Sequence, residues 1–175
     1  MRPANVSAPG VPGHGMTFGV TQEGLEVSVI NLQGSLFMST FTNPFLIADE
    51  LINAAKKRTP IIFIDFHAEA TSEKIALAQY LDGRATAVIG THTHVQTNDA
   101  RVLRGGTAAL TDAGMCGPHD SVIGVESALA IRRMRTNLPV KFVPASGDVR
   151  LEGALIEIDP ENGRALSCNT FRKTF

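Results

Sequence analysis

The sequence predicts an α/β sandwich built on a mixed sheet, and three observations predict it. A hairpin pattern follows the first residues. Two continuous runs of β-branched and aromatic residues, IIFIDF at 61–66 and ATAVIG at 85–90, alternate with segments of helical period. Further strand patterns close the chain. Hairpin, strand–helix–strand units and closing strands together are the order of a layered sheet with helices packed against it.

Each element has its own reason. Residues 1–15 read as an irregular arm of a single domain spanning 1–175, because prolines and glycines cluster there. Residues 18–21 and 25–32 flank Gln22-Glu23-Gly24, and Val27 and Val29 alternate with Glu26 and Ser28, which is a hairpin pattern. Asn43 can cap a helix whose first position is Pro44, where the missing N–H costs nothing. Phe45, Ala48, Leu51, Ile52 and Ala55 recur at helical spacing, with Lys56, Lys57 and Arg58 expected in the last turn. The run 61–66 reads as a strand buried on both faces, ending at His67. Thr71 or Ser72 is the expected cap of the next helix, which Asp82-Gly83 stops. The run 85–90 is a second buried strand, followed by His92 and His94, and 108–111 is a third, followed by Asp112. Residues 126–135 read as a helix. Residues 140–143, 155–158 and 166–172 read as closing strands, with Pro160-Glu161-Asn162-Gly163 turning between the last two.

Composition excludes several functions. Hydrophobic residues make up 43% and charged residues 19% of the 175, so a packed core is expected and disorder is not. The formal net charge of −1 and the absence of Trp argue against an extended nucleic-acid surface. No apolar stretch approaches the ~18 residues of a membrane helix, and residues 1–15 lack the apolar segment of a secretory signal. Cys116 and Cys168 form no CxxC motif. The expectation is a cytoplasmic protein with reduced thiols.

The chemistry is expected where strands end. DFH follows the first buried strand, GTHTH the second and TDAG the third. Ligands bind outside the carboxyl ends of strands in open α/β sheets. His67, His92 and His94 are therefore candidate metal ligands, since neutral imidazole is the commonest protein ligand for transition metals. In extended backbone His92 and His94 would point to one side, as would Asp65 and His67. Asp65 and Asp112 are candidates to orient those ligands from behind. The loop 114–124, GMCGPHDSVIG, can bring backbone N–H groups close to a phosphate, so Gly114, Gly117 and His119 are candidate substrate contacts. The same loop also reads as a plain connection. Cys116 has no adjacent cationic partner in sequence other than His119, and the two are a poor match for a catalytic pair. No residue is assigned as the catalytic acid or base.

The motifs IDFHAEATSEK at 64–74, GTHTHVQT at 90–97 and TDAGMCGPHDSVIG at 111–124, with RPAN at 2–5 and the NPF helix opening at Asn43, resemble the YmdB-like family of calcineurin-like metallophosphoesterases. The resemblance implies an α/β sandwich of the metallophosphoesterase type and a centre of two divalent metal ions, iron or manganese. It also implies hydrolysis of phosphodiesters, with 2′,3′-cyclic nucleotides as substrates. His67, His92 and His94 match the family's histidine ligands. The GD-, GEN- and GNH-type blocks that supply its other ligands have no match here, so the fold and site are expected to be incomplete at the N-terminus, resembling the last two-thirds of a family member. An uncovered sheet would favour a homo-oligomer. The rival expectations are a metal-binding remnant without activity that works by associating with other chains, a capsule-synthesis-type metallophosphatase, and a binding module whose histidines are merely structural.

Overall fold

The computed structural model describes residues 1–6 and 10–175, so residues 7–9 of the expected arm lie outside the described residues. Strands β1 (Met16–Val20) and β2 (Glu26–Gln33) form the antiparallel hairpin. Then come α1 (Pro44–Ala55), β3 (Ile62–His67), α2 (Thr71–Tyr80) and β4 (Ala87–Thr91). Strands β5 (Arg101–Val102), β6 (Ala108–Leu110) and β7 (Gly117–Pro118) are short. Helix α3 (Ser127–Thr136) precedes the long strands β8 (Val149–Ile158) and β9 (Ala165–Thr174). A six-stranded sheet runs β1-β2-β3-β4-β6-β5, and a three-stranded sheet runs β7-β8-β9. Strands β2, β3, β4 and β6 are mutually parallel, while β1 and β5 are antiparallel edges. The sheet is mixed and the architecture α/β, as the patterning predicts.

The period-2 pattern of β3 sorts its two faces. Ile62, Ile64 and Phe66 join Ile30, Leu32 and Val88 under α1 and α2, which contribute Ala48, Ile52, Leu77 and Ala78. Each large apolar side chain buried there contributes roughly 1.5–3 kcal/mol relative to exposure. On the other face, Ala87 and Ala108 meet Ala165 and Cys168 of β9, with Phe63, Ile89 and Ile156 packed around them. Alanines at these positions let the second sheet approach closely. It covers only part of that face: Phe63 is half-buried and Asp65 is exposed. The expectation that 61–66 is buried on both faces is thus corrected.

Other local expectations also shift. Asn43 caps α1 through its carbonyl oxygen, which accepts the Phe45 N–H at 2.9 Å. Lys56, Lys57 and Arg58 lie past the helix, in the turn beyond Ala55, rather than in its last turn. Ala70, not Thr71 or Ser72, occupies the N-cap of α2 and makes no side-chain cap bond. Buried Glu73 in that first turn instead accepts the N–H groups of Ser35 at 2.8 Å and Leu36 at 3.2 Å, fastening the chain beyond β2. Residues 140–143 form no strand; the Val143 carbonyl accepts the Glu126 N–H at 3.0 Å, beside the isolated Val125–Pro144 bridge. Both cysteines are free thiols. Among the described residues, no helix is long and apolar enough to cross a membrane.

Candidate metal centre

Parallel strands bring their carboxyl ends to one edge, and that edge gathers the candidate residues. Strand β3 ends at His67 and β4 at Thr91, which are register partners. The chain then turns sharply: His92 has φ 132° and His94 φ 62°. Such backbone is disfavoured for residues other than glycine, and it persists where surrounding contacts over-determine it, commonly at functional sites.

The two conformations separate the histidines of the H-x-H motif. His92 turns back to β3, where its Nδ1 lies 3.1 Å from His67 Nε2, with ring centroids 4.9 Å apart. His94 goes elsewhere, its Nδ1 lying 3.1 Å from the Ile123 carbonyl oxygen. The expectation that His92 and His94 share a direction fails because the backbone is not extended there.

The outer nitrogens of the His67–His92 pair are also engaged. His67 Nδ1 lies 3.1 Å from Thr91 Oγ1, and His92 Nε2 pairs with the Glu69 carboxylate. The Thr91 hydroxyl can donate or accept, so the facing nitrogens share an N–H···N hydrogen bond in one tautomer of His67 and present two lone pairs to a cation in the other. Burial and the neighbouring His92 hold His67 below the ordinary histidine pKa, against the opposing pull of Asp65. That favours the neutral, ligating form.

Two bonds of metal–imidazole length, ~2.0–2.1 Å, meeting near a right angle place their nitrogens about 3 Å apart. The His67–His92 spacing is compatible with both rings serving one ion and equally with a direct hydrogen bond between them. Among the described residues, no group of three or more His, Cys, Asp or Glu side chains converges to complete a metal site. The carboxylates first considered for the surroundings are engaged elsewhere. Asp65 accepts from Asn31 Nδ2 at 2.7 Å rather than from a histidine. Asp112 binds Lys74 Nζ at 3.2 Å, the Thr93 N–H at 2.8 Å and the Gly114 N–H at 3.0 Å. It organises the histidine loop through backbone without touching an imidazole.

The glycine loop is also braced inward. The Gly114 N–H is occupied by Asp112, and His119 Nδ1 lies 3.0 Å from the Gly117 carbonyl oxygen. His119 Nε2 lies 3.4 Å from the Glu152 carboxylate, outside hydrogen-bond alignment. The Gly114 N–H is thus engaged within the protein, Gly117 contributes its carbonyl oxygen to His119, and His119 Nε2 has no hydrogen-bond partner among the described residues. Burial pushes the Glu152 carboxyl up, but the Met115 N–H, Arg172 and His119 outweigh it and hold it below its ordinary value. Its stabilisation is therefore complete above the unfolded carboxylate pKa and is lost as pH falls through the lowered folded one. The stability gap between wild type and Glu152→Gln should shrink from neutral pH to about pH 3 in urea unfolding. A gap independent of pH would count against it.

Residues with no obvious motif signal complete the frame. Gln96 Nε2 lies 3.1–3.2 Å from the carbonyl oxygens of Ala113, Gly153 and Phe171, tying the histidine loop to the second sheet. Asp99 joins Thr97 Oγ1 at 2.7 Å to Thr111 Oγ1 at 3.0 Å.

This frame matches known proteins over nearly its whole extent. Residues 1–171 match the YmdB-like protein family. The chain belongs to the YmdB-like family. It is 55% identical over 166 residues to a Bacillus subtilis (strain 168) protein named 2′,3′-cyclic-nucleotide 2′-phosphodiesterase, covering 95% of this chain and 62% of that one. A crystal structure of a hypothetical protein from Thermus thermophilus superposes with a TM-score of 0.90 at 38% identity, covering 99% of this chain and 66% of that one. A novel phosphatase from Mycoplasma pneumoniae superposes with a TM-score of 0.85 at 34% identity, covering 99% of this chain and 63% of its own. This YmdB-like chain thus spans less than two-thirds of each of these relatives.

Proposed function

We propose that the chain contributes to a metal-dependent phosphodiesterase acting on nucleotide-type phosphodiesters, with 2′,3′-cyclic nucleotides the leading substrate class. The observation that carries this reading is the pair of ring nitrogens on His67 and His92, 3.1 Å apart at the carboxyl edge of a parallel sheet. The Bacillus subtilis relative's name supports the substrate class.

In this reading His67 and His92 would hold one ion through the facing nitrogens, and His94 would serve a second. Bound divalent ions, iron or manganese, would supply Lewis acidity toward phosphate oxygens and a water made nucleophilic near neutral pH. The chain's own work is positioning: Thr91 and Glu69 fix the two rings, and Asp112 holds the loop carrying His92 and His94. Imidazoles are neutral, so two adjacent cations need anionic ligands as well. Asp65, Asp112 and Glu69 are engaged with Asn31, Lys74 and His92, so an anionic ligand would come from a rearranged Glu69 or from groups beyond this chain. A cytoplasmic setting and self-association through the open sheet face belong to the same reading.

The absence of a converged three-donor set among the described residues favours a second reading, a metal-binding remnant that acts through association with other chains. Elemental analysis of the purified chain, paired with bis-p-nitrophenyl phosphate hydrolysis in added manganese, separates the two. About two metals per chain with turnover, lost in His67→Ala and His92→Ala, supports the enzyme. One metal or none without turnover supports the remnant. Thr91→Val should weaken metal binding by roughly 10–100-fold, as loss of a ligand-orienting partner does, while leaving the unfolding midpoint nearly unchanged. Undiminished metal affinity in that variant would remove Thr91 from the site.

A further inference from the structure

The opposite end of the sheet carries a feature that the proposed hydrolysis does not use. A cavity of about 390 Å³ opens between the turn after α1, the turn after α2 and the turn joining β8 to β9. Its lining includes Lys56, Lys57, Arg58, Arg84, Arg164 and Asn162, and no carboxylate. Strand β3 runs from this end at Ile62 to His67, so a rise of ~3.3 Å per residue puts the two sites roughly 17 Å apart.

The five cations divide into two groups. Arg58 pairs with Glu26 and lies over the Phe18 ring at 3.8 Å, and Arg84 pairs with Asp49 and lies 5.3 Å from the Tyr80 centroid. These two guanidiniums are fixed as walls. The side chains of Lys56, Lys57 and Arg164 have no ion-pair or hydrogen-bond partner among the described residues, and all three are exposed. The dipole of α1 favours cations just past its end, which accounts for Lys56 and Lys57 in part. It does not account for Arg164, which arrives from the β8–β9 turn. Nor do the terminal carbonyls of α1 lack donors: the oxygens of Ile52, Ala54 and Ala55 accept the N–H groups of Lys56, Lys57 and Arg58.

The walls are fixed relative to one another. Gly163 has φ 72°, and a Cβ there would lie 2.3 Å from the Pro60 carbonyl oxygen, so the β8–β9 turn is seated directly on the turn after α1. The Gly83 N–H donates to Thr107 Oγ1 at 2.9 Å, holding the third turn. A pre-formed cavity of this size suits a small molecule rather than a polymer. Guanidinium forks and ammonium groups together suit phosphate oxygens, and no aromatic ring lines the cavity to stack a base.

We propose that this cavity is a second ligand site, for a small anion bearing more than one phosphate group. The test is calorimetric titration of the purified chain with inorganic pyrophosphate, and in parallel with ADP, without added metal. Saturable binding of one anion per chain is expected. The double reversal Lys57→Glu with Arg164→Glu should weaken it by at least ~10-fold, the loss expected when charge-assisted hydrogen bonds are removed. Both residues are exposed, so the fold should be kept, and circular dichroism checks that. The milder pair Lys56→Gln with Lys57→Gln should give a smaller loss in the same direction. His92→Ala should bind pyrophosphate as wild type does. Equal affinity for pyrophosphate and ADP assigns recognition to the phosphates alone, and tighter ADP adds a nucleoside contribution. The proposal is overturned by an absence of saturable binding, by binding that survives the double reversal, or by binding lost in His92→Ala. None of these outcomes depends on phosphodiesterase turnover.

Discussion

Replacing Asp112 with alanine is expected to cost about 3–5 kcal/mol of folding stability and to release the histidine loop in the same step. Lys74 and Asp112 form a buried ion pair, with side chains only 3% and 1% exposed. Removing the carboxylate leaves the Lys74 ammonium uncompensated beneath the sheet edge. It also orphans the N–H groups of Thr93 and Gly114, which anchor the two loops on either side of the site. Thr93 is exposed and Gly114 half-buried, so water can replace part of what those donors lose, and the broken ion pair carries most of the cost. Urea unfolding followed by circular dichroism measures the loss. The double replacement Lys74→Met with Asp112→Leu separates the two effects. Removing both charges should recover much of the stability, since a well-packed apolar pair often matches a buried ion pair. It cannot restore the acceptors for Thr93 and Gly114, so metal binding should stay impaired. An Asp112→Ala protein within about 0.5 kcal/mol of wild type would refute the account, since that is the scale of an ordinary surface substitution.

The frame of the molecule was legible because its signals are periodic. Ile62, Ile64 and Phe66 alternate with Phe63, Asp65 and His67, and the fold puts the first set under helices. Asn43-Pro44 starts α1 for local reasons that no tertiary contact overrides. The placement of His67 and His92 at one edge followed from parallel strands ending together. Their pairing did not. It depends on φ 132° at His92, and no residue-type preference signals that value in a histidine. Asp112 read as a histidine partner because acidic residues near ligands commonly are, yet its partners are a lysine from α2 and two backbone amides, brought there by topology. Residues 140–143 carry a strand composition without a strand, because composition does not supply a neighbouring edge to pair with. Glu73 and Gln96 gave no signal at all, since each acts on backbone groups far along the chain.

Gly90→Ala is expected to be among the most damaging single-methyl additions to the chain, and Gly19→Ala the opposite. Gly90 stands in β4 two positions before His92. A Cβ there would lie 2.0 Å from the Thr111 carbonyl oxygen and 2.9 Å from Lys74 Cδ. The first obstacle is backbone, so no side-chain rotation relieves it. The Gly90 carbonyl also accepts the Ala113 N–H at 2.9 Å, so moving the strands apart strains that bond and the placement of Asp112 with it. Overpacking typically costs ~1–3 kcal/mol, and this case belongs at the upper end or beyond. Gly19 in β1 has no atom within 4 Å of a Cβ position. Alanine there should be neutral or stabilise by up to about 1 kcal/mol, because glycine weakens a strand through its backbone entropy. Thermal unfolding of the two variants side by side reads the contrast. If Gly90→Ala unfolds with Gly19→Ala, then β4 and the segment after β6 are not held as closely as the structure places them. The histidine loop, which hangs from that junction, would then lose the rigidity on which the proposed metal site depends.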